Sequence, residues 1–154
     1  MRLSPYLRPE LVRADLSAAD NLQAIGRLVD VLAAAEPDLD RQCLLDALLD
    51  REQQVSTGLE SGVAVPHATI EGVRQTVLVI GRLAQPVDFG TLDGSPVRFV
   101  FMMLSPPGAI ASHIRLLARI ARLCSLPEFL AAMDRAADDA GLLEAIRQED
   151  ARHV

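Results

Sequence analysis

Two segments decide what this chain can fold into. Residues 74–84, "RQTVLVIGRLA", and residues 97–104, "VRFVFMML", are apolar almost without interruption and rich in β-branched and aromatic side chains. A strand with one wet face alternates apolar and polar residues, so strands this evenly apolar require cover on both faces. The turn between them is "LDGSP", Leu92–Pro96, and "SPPGA", Ser105–Ala109, stops the second strand.

Helical patterns supply the cover. Ser17-Ala-Ala-Asp20 is a capping-box-like start, with Asp where Glu or Gln is usual, to a helix reaching about Ala35 and ended by Glu36–Pro37. A second helix spans about Leu39 to Gln53, with Leu44, Leu48 and Arg51 at i, i+4 and i+7, which places Arg51 at the helix end on the apolar stripe. A third runs from about Ile110 to Cys124; Ile110, Ile114, Leu117 and Ala121 are expected inward, and Ser112, Arg115, Arg119 and Arg122 outward. One or two further helices are expected, Pro127–Asp134 and Asp139–Gln148, and residues 1–16 read as an arm with a short strand near Leu11–Asp15. The expected fold is α/β: a single layered domain over residues 1–154, core about 11–148, with a mixed β-sheet and helices packed on both faces.

Charge narrows the function classes. The formal net charge is −6 and no Lys/Arg run forms a phosphate-tracking patch, so no nucleic-acid partner is expected. The opening "MRLSPYLRPELVR" has no signal-peptide apolar region, and no apolar run approaches the ~18 residues of a membrane span. A cytoplasmic location without direct membrane insertion is the expectation. Cys43 and Cys124, the two cysteines, read as buried free thiols within helices rather than a disulfide framework. Phosphate-loop, dinucleotide and nucleophile-elbow motifs are missing from the sequence.

Three histidines remain. His153 sits at the tail. His67 closes "STGLESGVAVPHA", residues 56–68, where a short strand at Gly62–Val65 runs directly into Pro66. The proline locks its own φ and biases Val65 toward extended backbone, so the strand delivers His67 to a defined point at its exit. Gly58 and Gly62 permit close backbone approach, and Ser56 and Thr57 add hydroxyl donors, a setting suited to an anion. An idle histidine in an ordinary tight turn fits the same residues. His113 falls in the first turn of its helix and points inward, toward the end of the strand finishing at Leu104; a core histidine bonded to a backbone carbonyl is the other reading. Arg51 can interact with its helix's last carbonyls or grip a phosphoryl group with its planar fork. Two histidines with Asp88 or Asp93 lack any metal-ligand spacing, so no metal is expected.

Taken together, "REQQ", "STGL", "GVAVPH" and "SHIRLLARIARL" resemble the type-2 EIIA domains of the bacterial phosphoenolpyruvate-dependent phosphotransferase system, the mannitol/fructose class with nitrogen-regulatory members, from about Leu11 to Gln148. The intervening "QPVDFGTLDGSPVRFVFMML" follows the same pattern. The resemblance implies that His67 is the phosphorylated nucleophile, with His113 beside it and Arg51 lining the site; Ser56 and Thr57 are the expected phosphate-binding hydroxyls. It implies phosphate from an HPr-type phosphocarrier, transfer to an EIIB domain, and no metal or organic cofactor. The alternative is a stand-alone nitrogen-regulatory EIIA that binds a regulatory target protein according to its phosphorylation state. The sequence departs from the family at Glu60 and Ala68, where glycine is usual or frequent. Glu60 would bring a carboxylate near a dianion, and Ala68 would narrow access to the nucleophile.

Overall fold

The computed structural model describes residues 1–54, 57–59 and 61–153. The elements in chain order are β1 (Val12–Leu16), α1 (Asn21–Ala35), α2 (Arg41–Gln54), β2 (Val63–Ala64), β3 (His67–Thr69), β4 (Val77–Val87), β5 (Val97–Ser105), α3 (Ile110–Cys124), α4 (Pro127–Arg135) and α5 (Asp139–Arg152). One mixed sheet has the order β1-β4-β5-β2, with β3 also pairing β5. The two evenly apolar segments form its antiparallel centre, with Ile80 opposite Phe101, while β1 joins β4, and β2 and β3 join β5, in parallel.

The two-residue period of a strand explains why both segments had to be so apolar. Phe99, Phe101 and Met103 join Leu78 and Ile80 in a core with Leu116, Ile120, Phe129 and Ile146 of α3, α4 and α5. The alternate residues Val100, Met102 and Leu104 join Val79 and Leu83 in a second core with Ile25, Leu28, Leu44 and Leu48 of α1 and α2. Full burial of side chains such as Phe101 and Met102 contributes about 1.5–3 kcal/mol each. Gly81 leaves room for the Leu16 side chain of β1 and the Leu28 side chain of α1: a Cβ there would collide with Leu16 Cδ1 and stand 3.0 Å from Leu28 Cδ2.

The helices differ from expectation in instructive ways. On α3 the buried face is His113, Leu116, Arg119, Ile120, Leu123 and Cys124, while Ile110 and Ile114 are 60% and 59% exposed. Arg119, expected outward, is buried because a carboxylate meets it inside: its guanidinium donates to Asp150 Oδ1 from two nitrogens, at 3.1 and 2.9 Å, and to the backbone carbonyls of Asp150 and His153. Asp150 also clamps the N-terminal arm. It accepts from the Leu3 and Ser4 amides, both at 3.0 Å, and from the Ser4 hydroxyl at 2.7 Å, while Leu3 and Leu7 enter the core.

Helix α1 is capped by Asp20, which accepts from the Gln23 amide, rather than by Ser17. Asp40 accepts from the amides of Gln42 and Cys43, which fixes the start of α2 two residues later than expected. Cys43 is exposed, not buried, because that first turn faces solvent; Cys124 is buried, and burial pushes its thiol up to about 12. No helix among the described residues is long and apolar enough to cross a membrane.

Candidate functional site

The site begins with a strand that pauses. Residues 57–59 fold back antiparallel onto β2: the Leu59 amide donates to Val63 O at 2.6 Å, and the Val65 amide to Thr57 O at 2.9 Å. The reversal uses left-handed backbone at Ser61 (φ 67°) and Gly62 (φ 79°), and the Gly62 carbonyl accepts from the amides of Arg98 and Phe99 on β5. A side chain at Gly62 would put its Cβ 3.2 Å from the Pro96 carbonyl oxygen, so glycine is required for both space and φ. Pro66 lacks an N–H and separates β2 from β3, but its carbonyl still accepts from the Met103 amide at 2.9 Å. Pairing with β5 therefore resumes at once, His67 opposite Met103, and the chain is pinned to β5 both before and after the proline.

The half-buried His67 ring places Nδ1 2.6 Å from Val65 O. A carbonyl oxygen can only accept, so Nδ1 carries the proton and the Nε2 lone pair is free. His113, 7% exposed, comes from the first turn of α3 with its ring centroid 5.5 Å from that of His67 and tilted by 58°. Its Nδ1 lies 2.7 Å from Ser105 Oγ at the end of β5, and the Thr76 hydroxyl donates to the same Oγ at 3.0 Å. Burial, reinforced by nearby His67 and Arg51, pulls the His113 pKa below 6.5, so the ring is neutral at pH 7.

Arg51, in the last turn of α2, joins the two histidines, Asp50, Ala68 and Ile114 around a cleft of about 480 Å³. It is exposed rather than on the apolar stripe; that stripe continues from Leu44 and Leu48 to Glu52, which is 8% exposed. Glu52 was not anticipated, because a charged residue beside Arg51 reads as surface. Its carboxylate accepts from the Thr57 hydroxyl at 2.6 Å and the Thr57 amide at 3.3 Å, anchoring the segment that folds onto β2. Thr57, an expected phosphate-binding residue, is thus buried with its hydroxyl directed to Glu52 and is not part of the cleft lining. Ser56, the other such residue, and Glu60 lie outside the described residues. Ala68 contributes to the cleft wall and packs against the α1–α2 core. Ser105 and Thr76 likewise carry no signal in the sequence, where Ser105 reads only as the end of a strand. Among the described residues no three His, Cys, Asp or Glu side chains converge as metal ligands.

A rigidly held imidazole with a free lone pair, a second neutral imidazole and a guanidinium on one open cleft suit transfer of an anionic group to nitrogen. The sequence matches the model of the phosphoenolpyruvate-dependent sugar phosphotransferase system EIIA 2 family over residues 5–149, and the chain belongs to that family.

Relatives carry two kinds of name. A nitrogen regulatory protein of Bradyrhizobium diazoefficiens is 35% identical over 123 residues, 80% of each chain. The fructose-specific EIIABC component of the phosphotransferase system of Bacillus subtilis is 31% identical over 150 residues, 97% of this chain but 24% of that protein. Among solved structures, the nitrogen regulatory protein IIA-Ntr of Neisseria meningitidis superposes with a TM-score of 0.86 at 24% identity, covering 94% of this chain and 98% of that one. Escherichia coli enzyme IIA-mannitol, solved in complex with phosphorylated enzyme IIB-mannitol, superposes with a TM-score of 0.76 at 21% identity, covering 92% and 97%. Those two likenesses concern the fold.

Proposed function

We propose that His67 is the phosphoryl acceptor, reacting through Nε2. The observation that carries this reading is the bond between His67 Nδ1 and Val65 O, which leaves Nε2 as the only ring nitrogen with a lone pair. In the step, Nε2 attacks the phosphorus of a phosphohistidine on an HPr-type carrier. The Nε2–P bond forms as the donor's N–P bond breaks, the electron pair returns to the carrier's imidazole, and the Nδ1 proton of His67 stays with Val65 O. Because the Nε2 lone pair is already free of a proton in this tautomer, no separate base is needed. Little else is asked of the protein than positioning and a cradle for the equatorial oxygens. Arg51 and the His113 ring supply that cradle, since the Thr57 hydroxyl is held by Glu52.

The phosphoryl group then leaves by the reverse chemistry to an EIIB domain, in the cytoplasm. Exposed Ile114 in the cleft wall, with exposed Ile110 one turn earlier on α3, gives a partner an apolar surface to rest on. The regulatory alternative, in which phosphorylation of His67 changes affinity for a target protein, is favoured by the 35% identity to a nitrogen regulatory protein.

The test is phosphate incorporation from a phosphorylated HPr-type carrier. Wild type should label and His67→Ala should not; equal labelling of the two refutes the acceptor. Offering the labelled protein to EIIB domains separates the outputs: discharge supports relay, and stable retention with every acceptor supports regulation.

A further inference from the structure

The two histidines of the cleft have different partners at the same ring atom. His67 Nδ1 faces the Val65 carbonyl, which can only accept; His113 Nδ1 faces the Ser105 hydroxyl, which can also donate. We propose that Ser105, backed by Thr76, holds His113 in the Nε2–H tautomer, opposite to that of His67, making Ser105 and Thr76 positioning residues of this site. One ring then offers a lone pair and its neighbour offers a hydrogen-bond donor.

Ser105 is fully buried at the strand end, and its backbone is fixed by pairing with Thr69 and by accepting from the Ile70 amide at 3.0 Å. A buried hydroxyl hydrogen must meet an acceptor, and His113 Nδ1 stands 2.7 Å away. The Thr76 hydroxyl donates to Ser105 Oγ at 3.0 Å, so the two hydroxyl hydrogens point along one chain toward the imidazole, each bond polarising the next. The opposite polarity, from Nδ1–H to Ser105 to Thr76, would turn an Nε2 lone pair toward the cleft. That would set an acceptor against the oxygens of any anion bound there. The choice matters because His113 is neutral at pH 7, with a single ring proton to place. The contribution to transfer rests on the reading of His67 as phosphoryl acceptor; the tautomer assignment does not.

The experiment is a long-range proton–nitrogen correlation spectrum of the uniformly ¹⁵N-labelled, unphosphorylated protein at pH 7.5–8, followed by transfer rates from the phosphorylated carrier. Wild type should show His67 protonated on Nδ1 and His113 on Nε2. Ser105→Ala should average the two nitrogen shifts of His113, leave the His67 pattern unchanged and slow phosphorylation by about tenfold, the scale of one hydrogen bond. Thr76→Val, at a half-buried position, should move the His113 shifts in the same direction by less, and Thr76→Ser should restore them. A wild-type His113 protonated on Nδ1 overturns the proposal, as does an unaltered His113 pattern in both Ser105→Ala and Thr76→Val. Tautomers as stated with no label on His67 would leave the Ser105 assignment standing and remove the acceptor reading; a reversed His113 tautomer with normal labelling would do the converse.

Discussion

Arg119 of α3 and Asp150 of α5 face each other inside the protein, their side chains 5% and 0% exposed and their nearest charged atoms 2.9 Å apart. The same carboxylate takes the amides of Leu3 and Ser4, so one pair joins the N-terminal arm, the last helix and the helix that carries His113. Removing one member of a buried pair leaves the other charge unpaired and costs about 3–5 kcal/mol. Asp150→Ala should lower Tm by about 10 °C or more in calorimetry, and amide exchange should rise first at Leu3 and Ser4. Burial alone would raise the Asp150 pKa, but the Leu3 amide, the Ser4 hydroxyl and Arg119 together hold it below 3.8. Its folded pKa is thus depressed, and its stabilisation is present above the ordinary carboxylate value and lost as pH falls through the folded one. Acid unfolding of Asp150→Asn should show a shallower limb below pH ~4.

His113 gives a second pH window with its own sign. Burial first, then His67 and Arg51, lower its pKa from 6.5, so the unfolded chain binds this proton more readily than the folded one. Stability should therefore rise with pH between the depressed folded pKa and about 6.5, and fall as the solution is acidified through that interval. Urea unfolding of His113→Gln across pH 5–7 should show a smaller slope of stability against pH than wild type, and an NMR titration should place the His113 midpoint below 6.5.

The cradle role proposed for Arg51 can be split into charge and shape. Arg51→Ala should slow phosphoryl transfer to His67 by about 10²-fold, as expected for loss of one preorganised charge donor. Arg51→Lys, which keeps the charge without the planar fork, should recover only part of the rate. Because the side chain is exposed, Tm should stay within about 2 °C of wild type in both variants. Unchanged rates would remove Arg51 from the site.

The sheet was legible because β4 and β5 are buried on both faces, and a residue run such as Phe99–Leu104 admits few other fates. The turn at Leu92–Pro96 and the arrival of β2 at Pro66 were legible for a similar reason: glycine and proline restrict the backbone directly. The orientation of α3 was not, because it carries two overlapping apolar stripes. Choosing between Ile110–Ile114 and Leu116–Ile120 required knowing that Arg119 would find Asp150 thirty-one positions away. The site divides along the same line. His67 announces itself through Pro66, whereas Glu52, Ser105 and Thr76 are common residues whose importance comes only from partners such as Thr57 and His113.

The pause of the edge strand at Pro66, pinned to β5 before and after, makes the His67 ring a fixed post rather than a swinging arm. It is half-buried and lines the cleft. A delivering protein and a collecting protein would have to dock over the same few square nanometres, so they must take turns: traffic through such a post is ping-pong, and each visitor competes with the next.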